Sequence, residues 1–285
     1  MAKYLTKVKK RSHLHGAVIL ACSFLLVAGL IILTVILIGR FFSNGVSDSQ
    51  NDGANSGQIH VPQIPPARQT RFDPEDFAYD GDYMTCLAKP SELGVDVSYY
   101  QGDIDWQQVK EAGITFAFIR VGGRGYGEGE LYADVCAQKN YEGAKAAGIK
   151  VGAYFFSQAI NEMEAQEEAW YALDIISTWE LDLPLVYDWE YISEDARTGW
   201  MEESDKILVT KAFFRVLEGM GVEPMAYVGH WAGEEYMYAV QDYPVWVVKY
   251  SDIMDFPYDF QYWQYTCTGS VPGIEGDVDI NLYIP

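Results

Sequence analysis

Leu183-Pro184-Leu185-Val186-Tyr187-Asp188-Trp189-Glu190 opens as an apolar, branched run and closes on two carboxylates two positions apart. Such a run reads as a buried strand with the acids at its C-terminal end. Side chains at i and i+2 share a strand face, so Asp188 and Glu190 project side by side, with Cα atoms about 6–7 Å apart. Two like charges this close, beside Tyr187 and Trp189, do not both ionise cheaply. One proton is held to higher pH, which is what a general acid at neutral pH requires. A strand that simply ends in solvated acids is the plainer reading of these eight residues, and the chain around them decides between the two.

Working outward, short apolar runs alternate with helical stretches from Glu92 onward. Leu93–Val97, Ile114–Val121, Ile149–Phe156 and Met225–Val228 read as further strands. Val245–Tyr250, Gln261–Tyr265 and Val278–Tyr283 are strand candidates. A short helix stops at Gly113, and longer helices are predicted over Tyr132–Ala147, Asn161–Thr178 and Ser204–Glu218. Strands alternating with helices imply parallel pairing with crossover helices. The fold class predicted is α/β, a flattened single-domain β/α (TIM-like) barrel over residues 92–285. In such barrels the chemistry gathers at the C-terminal strand ends. Asp96, Asp188 and Glu190 fall there, as do the loop carrying Arg124 and Tyr126 and the Phe155-Phe156-Ser157-Gln158 end of a strand. Acids and aromatics on one rim suit a sugar, because rings stack on pyranose faces while carboxylates serve hydroxyls and the glycosidic oxygen. Tyr99, Tyr126, Tyr154, Tyr187, Trp189, Trp246 and Trp263 are the candidate stacking residues, each with a core role as its plainer alternative.

The N-terminal part of the 285-residue chain has a different texture. Ala17 to Gly39 is 23 residues without a charge, and about 20 apolar residues span a bilayer as a helix. Lys3, Lys7, Lys9, Lys10 and Arg11 precede it. The positive-inside rule then predicts a basic cytoplasmic tail over 1–16, a transmembrane helix over 17–39 and everything beyond Arg40 outside the cell. A cleaved signal peptide is the rival reading, against which stand the length of the run and the lack of a small-residue cleavage site at Arg40-Phe41-Phe42. Residues 40–91 read as an extracellular linker, with Phe72–Leu87 packing at the domain edge. A flexible tether of this length spans about 35–40 Å. Net charge is −21, and six Lys/Arg without any acid in the first 40 residues leave −27 for the remainder. That balance argues against nucleic acid and polyanions as partners. Of the four cysteines, Cys22 lies in the apolar run. Cys86, Cys136 and Cys267 permit one disulfide or three free thiols.

Other signals carry less. No His-Glu-x-x-His pattern occurs, and the Gly122–Gly129 stretch has neither the phosphate-loop nor the dinucleotide spacing, so it reads as a flexible rim loop. Asp277 and Asp279 have the look of solvated acids more than of a cation site. No metal or cofactor is called for. His230 reads as structural or as a rim contact.

Gly94-Val95-Asp96-Val97-Ser98-Tyr99-Tyr100-Gln101-Gly102, followed by Ile104-Asp105-Trp106, resembles the opening of the family 25 glycoside hydrolases, the muramidase-type lysozymes. Gly152–Phe156, Leu185–Glu190 and Trp263-Gln264-Tyr265-Thr266 with Gly269–Ile274, Gly276 and Val278-Asp279-Ile280-Asn281 follow in that family's order. The resemblance covers about Glu92–Pro285. It implies hydrolysis of the β-1,4 bond between N-acetylmuramic acid and N-acetylglucosamine in peptidoglycan, by an acidic cluster that maps to Asp96, Asp188, Glu190 and Asp279. Asp277 competes with Asp279 for the last place, and the Val-Asp-x-Asn context favours Asp279. Cys267 and Val248-Lys249 depart from the family pattern, and Lys249 would contact a stem-peptide carboxylate or pair with a local acid. The expected mechanism is retaining, with Glu190 as acid then base. Either the substrate acetamido group attacks, oriented by Asp188, or an aspartate, Asp96, is the nucleophile. The alternative class is a non-catalytic glycan-binding or scaffolding protein, which the intact acids oppose.

Overall fold

A computed structural model describes residues 65–285, and the account below concerns that part of the chain. The apolar run Ala17–Gly39 lies outside the described residues. Among the described residues no helix is long and apolar enough to cross a membrane.

The strand of the Leu183–Glu190 stretch is β7 (Leu185–Trp189), every residue of it buried. Around it stand β3 (Glu92–Val97), β4 (Ile114–Arg124), β6 (Lys150–Ser157), β8 (Pro224–Val228), β9 (Val245–Val248), β10 (Tyr262–Gly269) and β11 (Val278–Tyr283). Pairing runs β3-β11-β10-β9-β8-β7-β6-β4 and returns to β3, so the sheet is closed and has no free barrel edge. β5 (Leu131–Ala133) is added antiparallel on the end of β4. The helices α1 (Trp106–Glu111), α2 (Ala137–Ala146), α3 (Glu162–Ile175), α4 (Glu203–Gly219) and α5 (Glu234–Val240) fill the connections up to β9.

The barrel is mixed, which corrects the all-parallel expectation. The barrel strands β3, β4, β6, β7, β8, β9 and β10 pair in parallel, but β11 is antiparallel to both β10 and β3. No helix follows β9 or β10. The hydrophobic period that marks a strand has no direction in it, so three terminal strand runs did not reveal that the last pair is a hairpin. Two further expectations are corrected. The predicted helix from Tyr132 begins only at Ala137, because Leu131–Ala133 pair with Gly122–Arg124. The short α5 was not predicted.

Strand alternation sorts the core into two parts. Inside the barrel, Phe116, Phe118, Tyr154, Val186, Met225, Tyr227, Trp246 and Tyr262 form one cluster. Their odd-numbered or even-numbered neighbours face the helices and join the larger outer cluster. The interior is crowded with rings, and glycine makes the room. A Cβ on Gly94 would lie 2.2 Å from the Phe116 ring, and one on Gly152 would lie 2.4 Å from Phe118. In the outer layer α3 starts at Asn161, whose side chain accepts from Glu164 N–H, with Glu162 and Glu164 in the first turn. Its buried stripe, Ala165, Glu168, Ala169 and Ala172, has the helical spacing of a packed face.

Residues from the stretch read as linker also fold onto this body. β1 (Phe77–Asp80) and β2 (Tyr83–Cys86) form a hairpin. Phe72 packs on Phe260 and Phe77 on Trp263, with ring centroids 5.6 and 5.2 Å apart. Cys86, Cys136 and Cys267 are free thiols, so of the two readings the unpaired one holds.

Candidate active site

The inward residues of the last strand turn set the site. Asp96 on β3, Arg120 on β4, Tyr154 and Phe156 on β6, Asp188 and then Glu190 at the end of β7, Tyr227 on β8, Trp246 on β9, Gln264 on β10 and Asp279 on β11 line one cavity of about 500 Å³. It opens at the C-terminal ends of the parallel strands. Asp279 reaches the same rim because β11 runs backwards, placing Asp279 opposite Asp96 in the antiparallel register. Asp277 is exposed and outside the cavity, so of the two it is Asp279 that lies with the other three acids.

Asp96 is held by a polar chain that fixes its orientation. Gln264 Nε2 and Asn281 Nδ2 both donate to Asp96 Oδ2, at 2.8 and 2.9 Å. The amide oxygens are engaged in turn: Tyr227 donates to Gln264 Oε1 at 2.7 Å, Tyr250 to the same atom at 3.1 Å, and Trp246 Nε1 to Asn281 Oδ1 at 2.8 Å. An indole N–H can only donate, so the Asn281 amide must turn its nitrogen to Asp96. Burial and the nearby Glu190 charge push Asp96 up, the two amides pull it down, and it lies at about 6.

The other acids are pushed up further. Burial, then the charges of Glu190 and Asp96, raise Asp188 well above the carboxylate range, and Asp188 Oδ1 is buried without a partner. Burial raises Glu190, while hydrogen bonding with Asp188 pulls the other way. Burial and the Asp96 and Glu190 charges push Asp279 to about 8. Four carboxyls in one low-dielectric cavity retain protons that water would strip from each alone. The Glu190 backbone is fixed from behind: its carbonyl accepts from Gln158 Nε2 at 3.0 Å, and Thr198 donates to Gln158 Oε1 at 2.7 Å.

A family profile, glycosyl hydrolases family 25, matches residues 95–274 and thus spans all but the last of the four acids. The chain belongs to glycosyl hydrolase family 25. It is a glycoside hydrolase. The chain is 30% identical to lysozyme M1 of Streptomyces globisporus over 217 residues, 67% of each chain. It is 27% identical to the autolytic lysozyme of Clostridium acetobutylicum, covering 67% of this chain and 55% of that longer protein. The crystal structure of a bacterial lysozyme from Streptomyces coelicolor superposes with a TM-score of 0.53 at 27% identity, covering 67% of this chain and 91% of that one.

Within this family 25 barrel the candidate residues divide by strand face. Tyr99, Tyr126, Tyr154 and Trp246 line the cavity with the four acids. Tyr187, Trp189 and Trp263 do not. They alternate with Asp188, Glu190 and Gln264, so the parity that aims the acids inward sends these rings outward. Tyr187 lies 2.8 Å from Ser157 Oγ and packs on Phe213, Trp189 packs on Trp231, and Trp263 Nε1 donates to the Lys249 carbonyl. The same parity, counted from Asp96 and Asp188 onto the neighbouring strands, selects Arg120, Tyr227 and Gln264, which sequence reasoning passed over.

Only the start of the glycine-rich segment departs from the rim-loop reading: Gly122–Arg124 is strand, and the loop begins at Gly125, with Tyr126 at the cavity. β4 continues to Arg124, whose buried guanidinium bonds Glu168 at 2.8 Å, Glu167 at 2.7 Å and the Gly129 carbonyl at 2.8 Å. Lys249 pairs with Asp255, the local-acid alternative. His230 is exposed and lines a side cleft that shares Glu190, Tyr227 and Tyr250 with the main cavity. A cavity of about 580 Å³ at the opposite end of the barrel, among Leu173, Ile176, Trp179 and Val222, holds no comparable cluster of acids.

Proposed function

We propose that the protein is a muramidase, cleaving the β-1,4 bond between N-acetylmuramic acid and N-acetylglucosamine in peptidoglycan with retention of configuration. The observation that carries this reading is the four-acid cavity with Asp188 and Glu190 side by side, in a chain whose relatives include lysozymes. Glu190, at the cavity wall shared with the side cleft, protonates the leaving oxygen. The Asp188–Glu190 pair holds one proton in the resting state, and its transfer through Glu190 to the leaving oxygen leaves both carboxylates charged, Asp188 facing the oxocarbenium-like centre and Glu190 ready to act as base. Asp188 then orients the substrate acetamido group for attack on the anomeric carbon. Water completes the reaction, returning its proton to Glu190. Asp96, ionised and clamped by Gln264 and Asn281, supplies the fixed negative charge that keeps the proton on the pair. Asp279 extends the acidic wall. Tyr99, Tyr126, Tyr154 and Trp246 present rings and hydroxyls to the sugars.

We also propose that residues 17–39 anchor the enzyme in the membrane with its hydrolase domain outside, on the strength of the uncharged run and the basic residues before it. Fractionation of cells expressing the full chain checks this: recovery in the soluble fraction would exclude it. The hydrolase reading is tested by incubating the full-length protein with purified peptidoglycan. Soluble glycan fragments are expected from the wild type, and wall binding without release from Glu190→Gln. Release by that variant at wild-type rate would remove Glu190 from its role.

A further inference from the structure

Arg120 is out of keeping with the charge of the cavity it lines. Four carboxyls surround the reaction centre, and the other arginine there, Arg124, spends its guanidinium on Glu168, Glu167 and the Gly129 carbonyl. Among the described residues Arg120 makes one hydrogen bond, from Nε to Asp134 Oδ2 at 2.9 Å. Asp134 is itself a rigid anchor, since it also accepts from the backbone N–H groups of Tyr99 at 3.0 Å and Cys136 at 2.9 Å. The Arg120 side chain is 10% exposed, and its Nη2 is buried with no partner. A buried guanidinium N–H without an acceptor is costly, and such groups normally have one. Here the rings of Tyr99 and Tyr100 cover the guanidinium, 4.9 and 5.2 Å from its centre. Both are rim residues, 42% and 72% exposed, so only their rings stand between the guanidinium and the mouth of the cleft.

The planar fork of an arginine fits a carboxylate, and its placement gives the cleft polarity. An anion is repelled by the charge of Asp96 and of the Asp188–Glu190 pair, and is held best on the β4 side, away from them. We propose that Arg120 is the anion receptor of the cleft, taking a carboxylate oxygen of the acidic arm on muramic acid and so selecting wall glycan over uncharged β-1,4-linked N-acetylglucosamine chains. This rests on the muramidase reading. The carboxylate has two sources, the lactyl group of peptide-free muramic acid and the stem peptide.

The test compares kcat/KM of the full-length enzyme on three glycan preparations: strands freed of peptide, the same strands with their lactyl carboxylates converted to amides, and intact peptide-bearing strands. The wild type is expected to prefer the charged stripped strands to the amidated ones by about tenfold or more, the worth of a charge-assisted bond, mainly through KM. Arg120→Gln should bring that ratio close to one. Arg120→Gln with Asp134→Asn repeats the test without leaving Asp134 buried beside a lost charge, and a melting curve checks both folds. Intact strands that behave as the charged ones, and lose activity in Arg120→Gln, place the anion on the stem peptide. Intact strands that behave as the amidated ones place it on the lactyl group. A wild type equally active on all three preparations, or variants that lose activity equally on all three, would overturn the proposal and leave Arg120 a structural residue. Failure of the wild type to release fragments from any preparation would instead overturn the muramidase reading.

Discussion

Replacing Gln264 by methionine removes one polar link without changing side-chain volume much. Gln264 is buried, donates to Asp96 Oδ2 at 2.8 Å and accepts from Tyr227 and Tyr250. Asp96 sits at about 6 because two amide donors offset burial and the charge of Glu190. A hydrogen bond to a charged group contributes about 1.5–3 kcal/mol. At 1.36 kcal/mol per pH unit, loss of one donor moves Asp96 up by about one to two pH units. Asp96 acts as an anion in the mechanism above, so the acid limb of kcat/KM, expected near pH 6 in the wild type, should move upward by the same amount. The stranded Tyr227 and Tyr250 hydroxyls cost stability on the order of 2 kcal/mol, a fall in Tm of about 4–8 °C for a domain of this size. The assay is a pH–rate profile on solubilised glycan strands, with the melting curve taken alongside. A fall in Tm with an unmoved acid limb would refute the link between the Gln264 clamp and the charge of Asp96.

Glu190→Gln should lower kcat by about a hundredfold to ten-thousandfold with binding retained, measured by fragment release and by wall co-sedimentation. Arg124→Leu leaves Glu168 buried without its cation, and breaking such a pair costs about 3–5 kcal/mol, so urea unfolding should show a large loss that is smaller when Glu168→Leu accompanies it. Tyr187→Phe, on the outward face, should cost about 1 kcal/mol and leave KM for glycan unchanged. The raised carboxyls also set the pH dependence of stability. Folded Asp96 and Asp279 hold protons to about 6 and about 8 that the unfolded chain releases near pH 4, so their contribution is full in acid and is lost as pH rises through that window. Denaturant midpoints between pH 4.5 and 8.5 should fall with pH, and Asp279→Asn should flatten the upper part of the curve.

The strands were legible because their interiors are apolar runs of limited length, and β7 with its paired acids located the reaction centre from eight residues. Parity was legible as well, and applying it to every strand would have withdrawn Tyr187, Trp189 and Trp263 and brought in Arg120, Tyr227 and Gln264. What the sequence concealed is what depends on distant partners. Nothing in Val278–Tyr283 says that it runs antiparallel, yet that direction is what lifts Asp279 to the rim opposite Asp96. Gly122–Arg124 has the composition of a loop and becomes strand because Leu131–Ala133 pair with it and α3 presents Glu167 and Glu168 to Arg124.

The chemistry of the new glycan end bears most directly on the function proposed for this barrel. Peptidoglycan digested by the full-length protein, analysed by mass spectrometry after borohydride reduction, is expected to yield fragments ending in reduced muramic acid, and none when Glu190→Gln replaces the wild type. Fragments ending in reduced glucosamine, or no fragments from the wild type, would contradict it.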